Sequence, residues 1–286
     1  PSIRIGMTDV NFRRTHEEIA GKVDYDNAAP FDPALHPNLG FDHGTQTATL
    51  ASGNTNNGKG IASIGFNSRL DIYNLSYNDI LNAAINGARV INCSWYDPDC
   101  QFVLIRQQMI DMIHDVYKPV IVAAAGNNAN QCGSIEAILF PAGYNHVLDI
   151  SGVGHFVDPS PSITCGWGYK DLHIMNYFEA VLRSHHHNAD VDLCAPSLGL
   201  YVPKNDTDVS YLQYGFGTSF ATPMVSGTAA LMFSVNPALL PEDVAAILKC
   251  TSRDLYELPL NIPFLNKLGT GRLDASKAVR LAATWV

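Results

Sequence analysis

Short apolar runs alternate with longer stretches of helical character along almost the whole chain. Five runs, at 3–8 (IRIGMT), 70–75 (LDIYNL), 89–94 (RVINCS), 119–125 (PVIVAAA) and 147–153 (VLDISGV), are apolar at adjacent positions rather than alternate ones. That is the pattern of parallel strands covered on both faces. Between them, 43–53, 78–88 and 102–117 read as helices, and 219–235, 241–250 and 274–283 follow the last strand. Pro241, followed by Glu242 and Asp243, marks a helix start, and Asp274 is placed to cap another. This succession predicts an α/β fold: a three-layer, doubly wound parallel β-sheet with helices on both faces, whose site lies at the carboxyl ends of the strands. One stretch breaks the rhythm. Residues 155–190 mix aromatics, histidines and turn formers, and read as a long excursion from the fold.

The chain has 286 residues, 47% of them apolar, enough for one sizeable core, so a single domain over 1–286 is expected. A net charge of −9 and the lack of any basic run argue against nucleic acid as a partner. No apolar run approaches the roughly 18 residues of a membrane span, and the first ten residues, PSIRIGMTDV, lack the blocks of a signal peptide. An exported parent would carry its targeting segment outside this sequence. Six cysteines without a CxxC pair argue against structural zinc. Cys93, Cys194 and Cys250 lie in apolar runs and read as core, while Cys100 and Cys132 lie in polar loops and are the better pair, with Cys165 a third candidate.

Four strand or helix ends carry chemistry. Asp9 leaves the first strand as a carboxylate at the end of an apolar run, where it must be paired or solvated. His43 opens a helix of small residues (HGTQTATLASG). Asn127 follows a glycine turn in VAAAGNN, where its amide can donate to a developing oxyanion. Ser219 opens a helix in GTSFATP, either as a cap or as a nucleophile favoured by free N–H groups. Together, Asp9, HGT at His43, AAGN at Asn127 and GTSFATP at Ser219 resemble the subtilisin-like serine proteases, over essentially the whole chain. The closing GTGRLDASKAV is similar to the family's last segment.

The resemblance implies a secreted serine endopeptidase with Asp9, His43 and Ser219 as triad and Asn127 as oxyanion donor. It implies a peptide or protein substrate, an N-terminal prodomain before maturation, no membrane partner, and no cofactor needed for the chemistry; a monomer is the default. Ser94, Trp95 and Tyr96 would pair with substrate and wall the P1 pocket opposite Ala124, Ala125 and Gly126, with Leu139 or Phe140 near its floor. Tyr96 stands where the family has glycine, so the pocket is expected to be narrowed and apolar. The stretch from Leu75 to Ser94 is short by the family's standard, which weakens the second substrate edge. Val10 and Asn11 depart from the usual small residue and glycine, Gln46 from a second histidine, and Phe220 from methionine. Structural calcium is implied in the loop GNTNNGKG, with Asn54, Asn56 and the carboxylate of Glu18. The histidines 185–187 read as a polar surface tract with a structural imidazole, ahead of a metal site. Two other functions fit the residues: a transamidating peptide macrocyclase, and a non-catalytic binding module whose cleft is blocked.

Overall fold

The structure, a computed structural model, describes residues 2–32, 43–127, 131–154, 171, 185–204 and 206–286. Seven strands form one parallel sheet: β1 (Arg4–Thr8), β2 (Val23–Asp26), β3 (Arg69–Tyr73), β4 (Val90–Cys93), β5 (Val120–Ala124), β6 (Val147–Val153) and β7 (Leu193–Pro196). Their order is β2-β3-β1-β4-β5-β6-β7. Alternate residues of each strand feed two cores. Ile5, Met7, Leu70, Val90, Val122 and Ile150 point to one face, which carries α1 (His43–Ser52), α4 (Thr218–Val235), α5 (Pro241–Thr251) and α6 (Ala275–Ala282). Tyr73, Ile91, Cys93, Ile121 and Val147 point to the other, beneath α2 (Tyr77–Ile85) and α3 (Leu104–Tyr117). The expected three layers are therefore present, and all five strands and six helices read from the pattern form.

Among the described residues, four strands lie outside the five apolar runs: β2 and β7 of the sheet, and both strands of a hairpin. β2 is a four-residue edge strand, VDYD, with three exposed positions; a short, charged edge resists pairing with other chains. β8 (Leu198–Lys204) and β9 (Ser210–Phe216) make a separate antiparallel hairpin.

α4 forms against its own propensities. Gly227 and Pro223 cost about 1 and 3 kcal/mol in a helix interior. Each fully buried side chain the size of Val225, Met232 or Phe233 returns about 1.5–3 kcal/mol. Tertiary burial decides, and α4 runs buried almost throughout its length.

The chain winds from β1 towards β3 and β2 on one side and towards β4 to β7 on the other. The crevice at this reversal opens at the carboxyl ends of β1 and β4. Asp9 follows β1 directly and Ser94 follows β4. Of the excursion, 155–170 (including Cys165) and 172–184 lie outside the described residues. Its Asp171 is held between Arg253 and Arg272.

Candidate active site

Asp9 is 1% exposed and its oxygens are fully engaged. Oδ1 accepts from Val10 N–H and from His43 Nδ1, both at 2.7 Å, and Oδ2 accepts from Thr47 Oγ1 at 2.8 Å. His43 is the first residue of α1. That helix can start so close to β1 because Gly44 has no Cβ: one there would stand 2.4 Å from the Val10 carbonyl oxygen. Asn11, standing where glycine is usual, takes the left-handed turn itself, with φ of 58°. An ionised carboxylate only accepts, so Nδ1 of His43 carries the hydrogen and Nε2 keeps its lone pair. Burial alone lowers the His43 pKa, but the charge and hydrogen bond of Asp9 together outweigh it and leave it above 6.5.

Ser219 does not cap α4. The N-cap is Gly217, without a side-chain bond, and the Thr218 N–H is taken instead by Asn127 Oδ1 at 2.9 Å. Asn127 is thus turned so that its amide hydrogens are left to donate beside the helix start. Pro223 sits four residues after Ser219 and brings no N–H, which frees the Ser219 carbonyl from the helix ladder. Ser94 Oγ–H fills the gap, donating to Ser219 O at 2.8 Å, while Ser219 Oγ–H donates to Ser94 O at 3.1 Å. The imidazole of His43 lies beside the same helix turn, 6.0 Å from the Phe220 ring centre.

The residues expected to wall a P1 pocket can be placed one by one. Ala124, Ala125 and Gly126 are buried beside Asn127. Leu139 is fully buried, and its Cδ1 stands 2.3 Å from where a Cβ on Gly126 would lie; Gly126 has φ of 111°. Only glycine fits there. Tyr96 is half-buried. Trp95 turns its ring into the core, edge-on to Tyr77, with the indole N–H donating to Thr8 Oγ1 at 2.9 Å. An indole that is buried wants a partner, and Thr8 supplies it from β1.

Two ties join the walls. Asp97 N–H donates to Phe140 O at 2.7 Å, and Cys100 and Cys132 form the expected disulfide. With the cysteines 32 positions apart, the chain-entropy estimate is about 3–4 kcal/mol. Cys132→Ser is accordingly expected to lower the urea midpoint, with a steeper slope because the uncrosslinked denatured chain exposes more surface; a midpoint equal to that of the unaltered chain would show that the bond adds nothing to stability.

Glu18 is buried. Its Oε1 accepts from Ile61 N–H at 2.9 Å and Tyr211 OH at 2.8 Å, and its Oε2 has no hydrogen-bond partner. Burial raises its pKa. Asn54 donates its amide hydrogens to Glu17 O and Ala20 O, and Asn56 is exposed with φ of 62°. Among the described residues no three His, Cys, Asp or Glu side chains gather as a metal site. His185, His186 and His187 are not a surface tract: they are 0, 0 and 3% exposed. Nothing in the local sequence, HHHNAD, signals this burial.

Comparison with known proteins places these features in context. The profile of the Subtilase family, Peptidase_S8, matches residues 2–274. Halolysin of Haloferax mediterranei is 27% identical over 97% of this chain and 49% of its own length. The halolysin-like extracellular serine protease Nep of Natrialba magadii is 26% identical over 96% of this chain and 47% of its own. The chain therefore spans about half the length of the curated relatives it matches. Among solved structures, fervidolysin from Fervidobacterium pennivorans, described as a keratinolytic enzyme related to subtilisin, has a TM-score of 0.73 at 20% identity, covering 97% of this chain and 42% of that one. No helix among the described residues is long and apolar enough to cross a membrane.

Proposed function

The chain belongs to the subtilase family, and on that premise we propose that it is a serine endopeptidase working through an acyl-enzyme. The observation that carries the reading is the 2.7 Å bond from His43 Nδ1 to Asp9, together with the His43 ring centre lying 6.0 Å from that of Phe220, the residue after Ser219. Ser219 Oγ attacks the peptide carbonyl as His43 Nε2 takes its proton, and His43 returns that proton to the leaving amine. Asp9 holds the tautomer and stabilises the imidazolium. Asn127 Nδ2 and the Ser219 N–H receive the oxyanion. The Leu139 side chain over Gly126 supports a narrowed, apolar P1 site, without a carboxylate for Lys or Arg. The reading includes action outside the cell, supported by the extracellular relative Nep and by the disulfide. It also includes a protein or peptide substrate, an N-terminal prodomain and a monomeric mature form.

A fluorophosphonate probe with mass-spectrometric mapping tests the reading. Adduct on Ser219, absent in Ser219→Ala, is the expected result, with peptide-library cleavage favouring small apolar P1 residues. Folded protein that stays unlabelled at neutral pH would overturn it.

The loop after α1 suits a hard cation in its donors. Glu18 Oε2 is an orphaned buried oxygen, and Asn54, Asn56 and loop carbonyls offer neutral oxygens. One carboxylate means low affinity, on the order of 10⁻⁴–10⁻³ M. A bound calcium would brace the loop and take no part in the proton relay. Millimolar calcium is expected to raise Tm relative to chelator, and Glu18→Gln to abolish the rise; equal Tm values with calcium and chelator would remove the proposal.

A further inference from the structure

The three buried histidines run between the two walls of the cleft. On one side, His185 forms an antiparallel bridge with Asn127, and His186 N–H donates to Gly126 O at 2.9 Å. On the other, His187 N–H donates to Ile135 O at 3.3 Å, and His186 Nδ1 lies 3.0 Å from Ala137 O. A carbonyl only accepts, so this Nδ1 carries its hydrogen. Ser151 Oγ–H, from β6, donates to His186 O at 2.6 Å. The ring faces Gly126 as well: its Cδ2 is 3.4 Å from where a Gly126 Cβ would stand, on the side that Leu139 also occupies.

Gly126 has no side chain to fix its own backbone, and glycine is the residue with most conformational freedom to lose. Yet it sets the direction of Asn127, whose Oδ1 accepts from the Thr218 N–H at the start of α4. We propose that His186 is a positioning residue: its N–H, and its ring wedged between Gly126 and Ala137, hold Asn127 where the oxyanion forms. The inference rests on the proposed role of Asn127. A donor aimed in advance at developing charge is what accelerates acyl transfer, and a displacement of about 1 Å can cost about 10²-fold.

The test uses kcat and KM for a peptide substrate, with thermal melting alongside. His186→Ala is expected to lower kcat about 10- to 100-fold with KM changed less than about 3-fold. His186→Asn places an amide N–H near the site of Nδ1 and is expected to recover most of kcat. His186→Gln places it near Nε2 and is not, and this contrast reads out the role even if the alanine variant fails to fold. In an Asn127→Ala background, itself expected to lose about 10²–10³-fold, His186→Ala should cost almost nothing more, because the group it positions is gone. Fully additive losses, or Asn and Gln behaving alike, would overturn the positioning role while leaving the protease reading intact. A labelled, active chain in which Asn127→Ala costs nothing would instead remove the oxyanion assignment, and the role of His186 with it.

Discussion

Ser219→Ala is expected to lower kcat/KM on a peptide substrate by about 10⁶, with a residual rate still about 10³–10⁴ above that of water. The loss is this large because Ser219 Oγ is the atom that forms the acyl-enzyme, and alanine puts no oxygen in its place. The residue that remains after removal leaves the fold nearly untouched. The bond the hydroxyl makes, to Ser94 O at 3.1 Å, is long, and the reciprocal bond from Ser94 Oγ goes to the Ser219 backbone carbonyl, which alanine keeps. Melting should therefore move by no more than about 0.5 kcal/mol. His43→Ala alone should cost about as much in rate, and the double variant no more than either, since base and nucleophile act as a unit. Kinetics of the three variants, on protein with matched melting curves, check this. A Ser219→Ala chain within tenfold of the unaltered one would mean that another group is the nucleophile.

The sheet and its helices were legible in the sequence because their cause is local in period. A strand buried on both faces must be apolar at adjacent positions, as in VINC or VIVAA, and no turn chemistry competes there. The site residues were legible for a related reason: Asp9, His43 and Ser219 each sit where an apolar element ends, and polar groups at such ends need a purpose. What stayed hidden depends on partners distant in the chain. Trp95 follows a serine and precedes a tyrosine, and nothing nearby says that its indole will reach Thr8 on β1. The histidines 185–187 are buried because Gly126, Ile135 and Ala137 supply their hydrogen bonds, and all three lie about 50 or more residues upstream. The capping reading of Ser219 failed because Pro223 and Ser94 together rewrote the bonding of the first turn of α4. In each case short-range pattern gave the element, and long-range hydrogen bonding gave the side chain its place.

Asp9→Asn is expected to lower kcat/KM by about 10²–10³, short of the roughly 10⁴ that a wrong tautomer costs, and the geometry predicts how the loss arises. The Val10 N–H is fixed and can only donate, so it holds the amide oxygen of the new side chain at the place of Oδ1. His43 Nδ1 then keeps its acceptor and its hydrogen. The amide nitrogen falls at the place of Oδ2 and faces Thr47 Oγ1, a hydroxyl that can turn to accept, as it already has Gly44 O at 3.3 Å to donate to. The tautomer survives, and what disappears is the charge opposite the imidazolium. The pH profile tells this apart from a flipped amide. In the unaltered chain Asp9 keeps the His43 pKa above 6.5 despite burial. The stability contributed by the charged pair is complete below pH 6.5 and is lost as pH rises through the folded value, whereas activity appears over the same interval as the base becomes neutral. Without the Asp9 charge, burial alone acts and lowers the value, so the acid limb of kcat/KM should move to lower pH, with a plateau at about 10⁻²–10⁻³ of the original. A flipped amide would give its hydrogen to Nδ1 and force the proton onto Nε2. That chain would have no working base at any pH, and a flat profile with no acid limb would show that the amide had turned the other way.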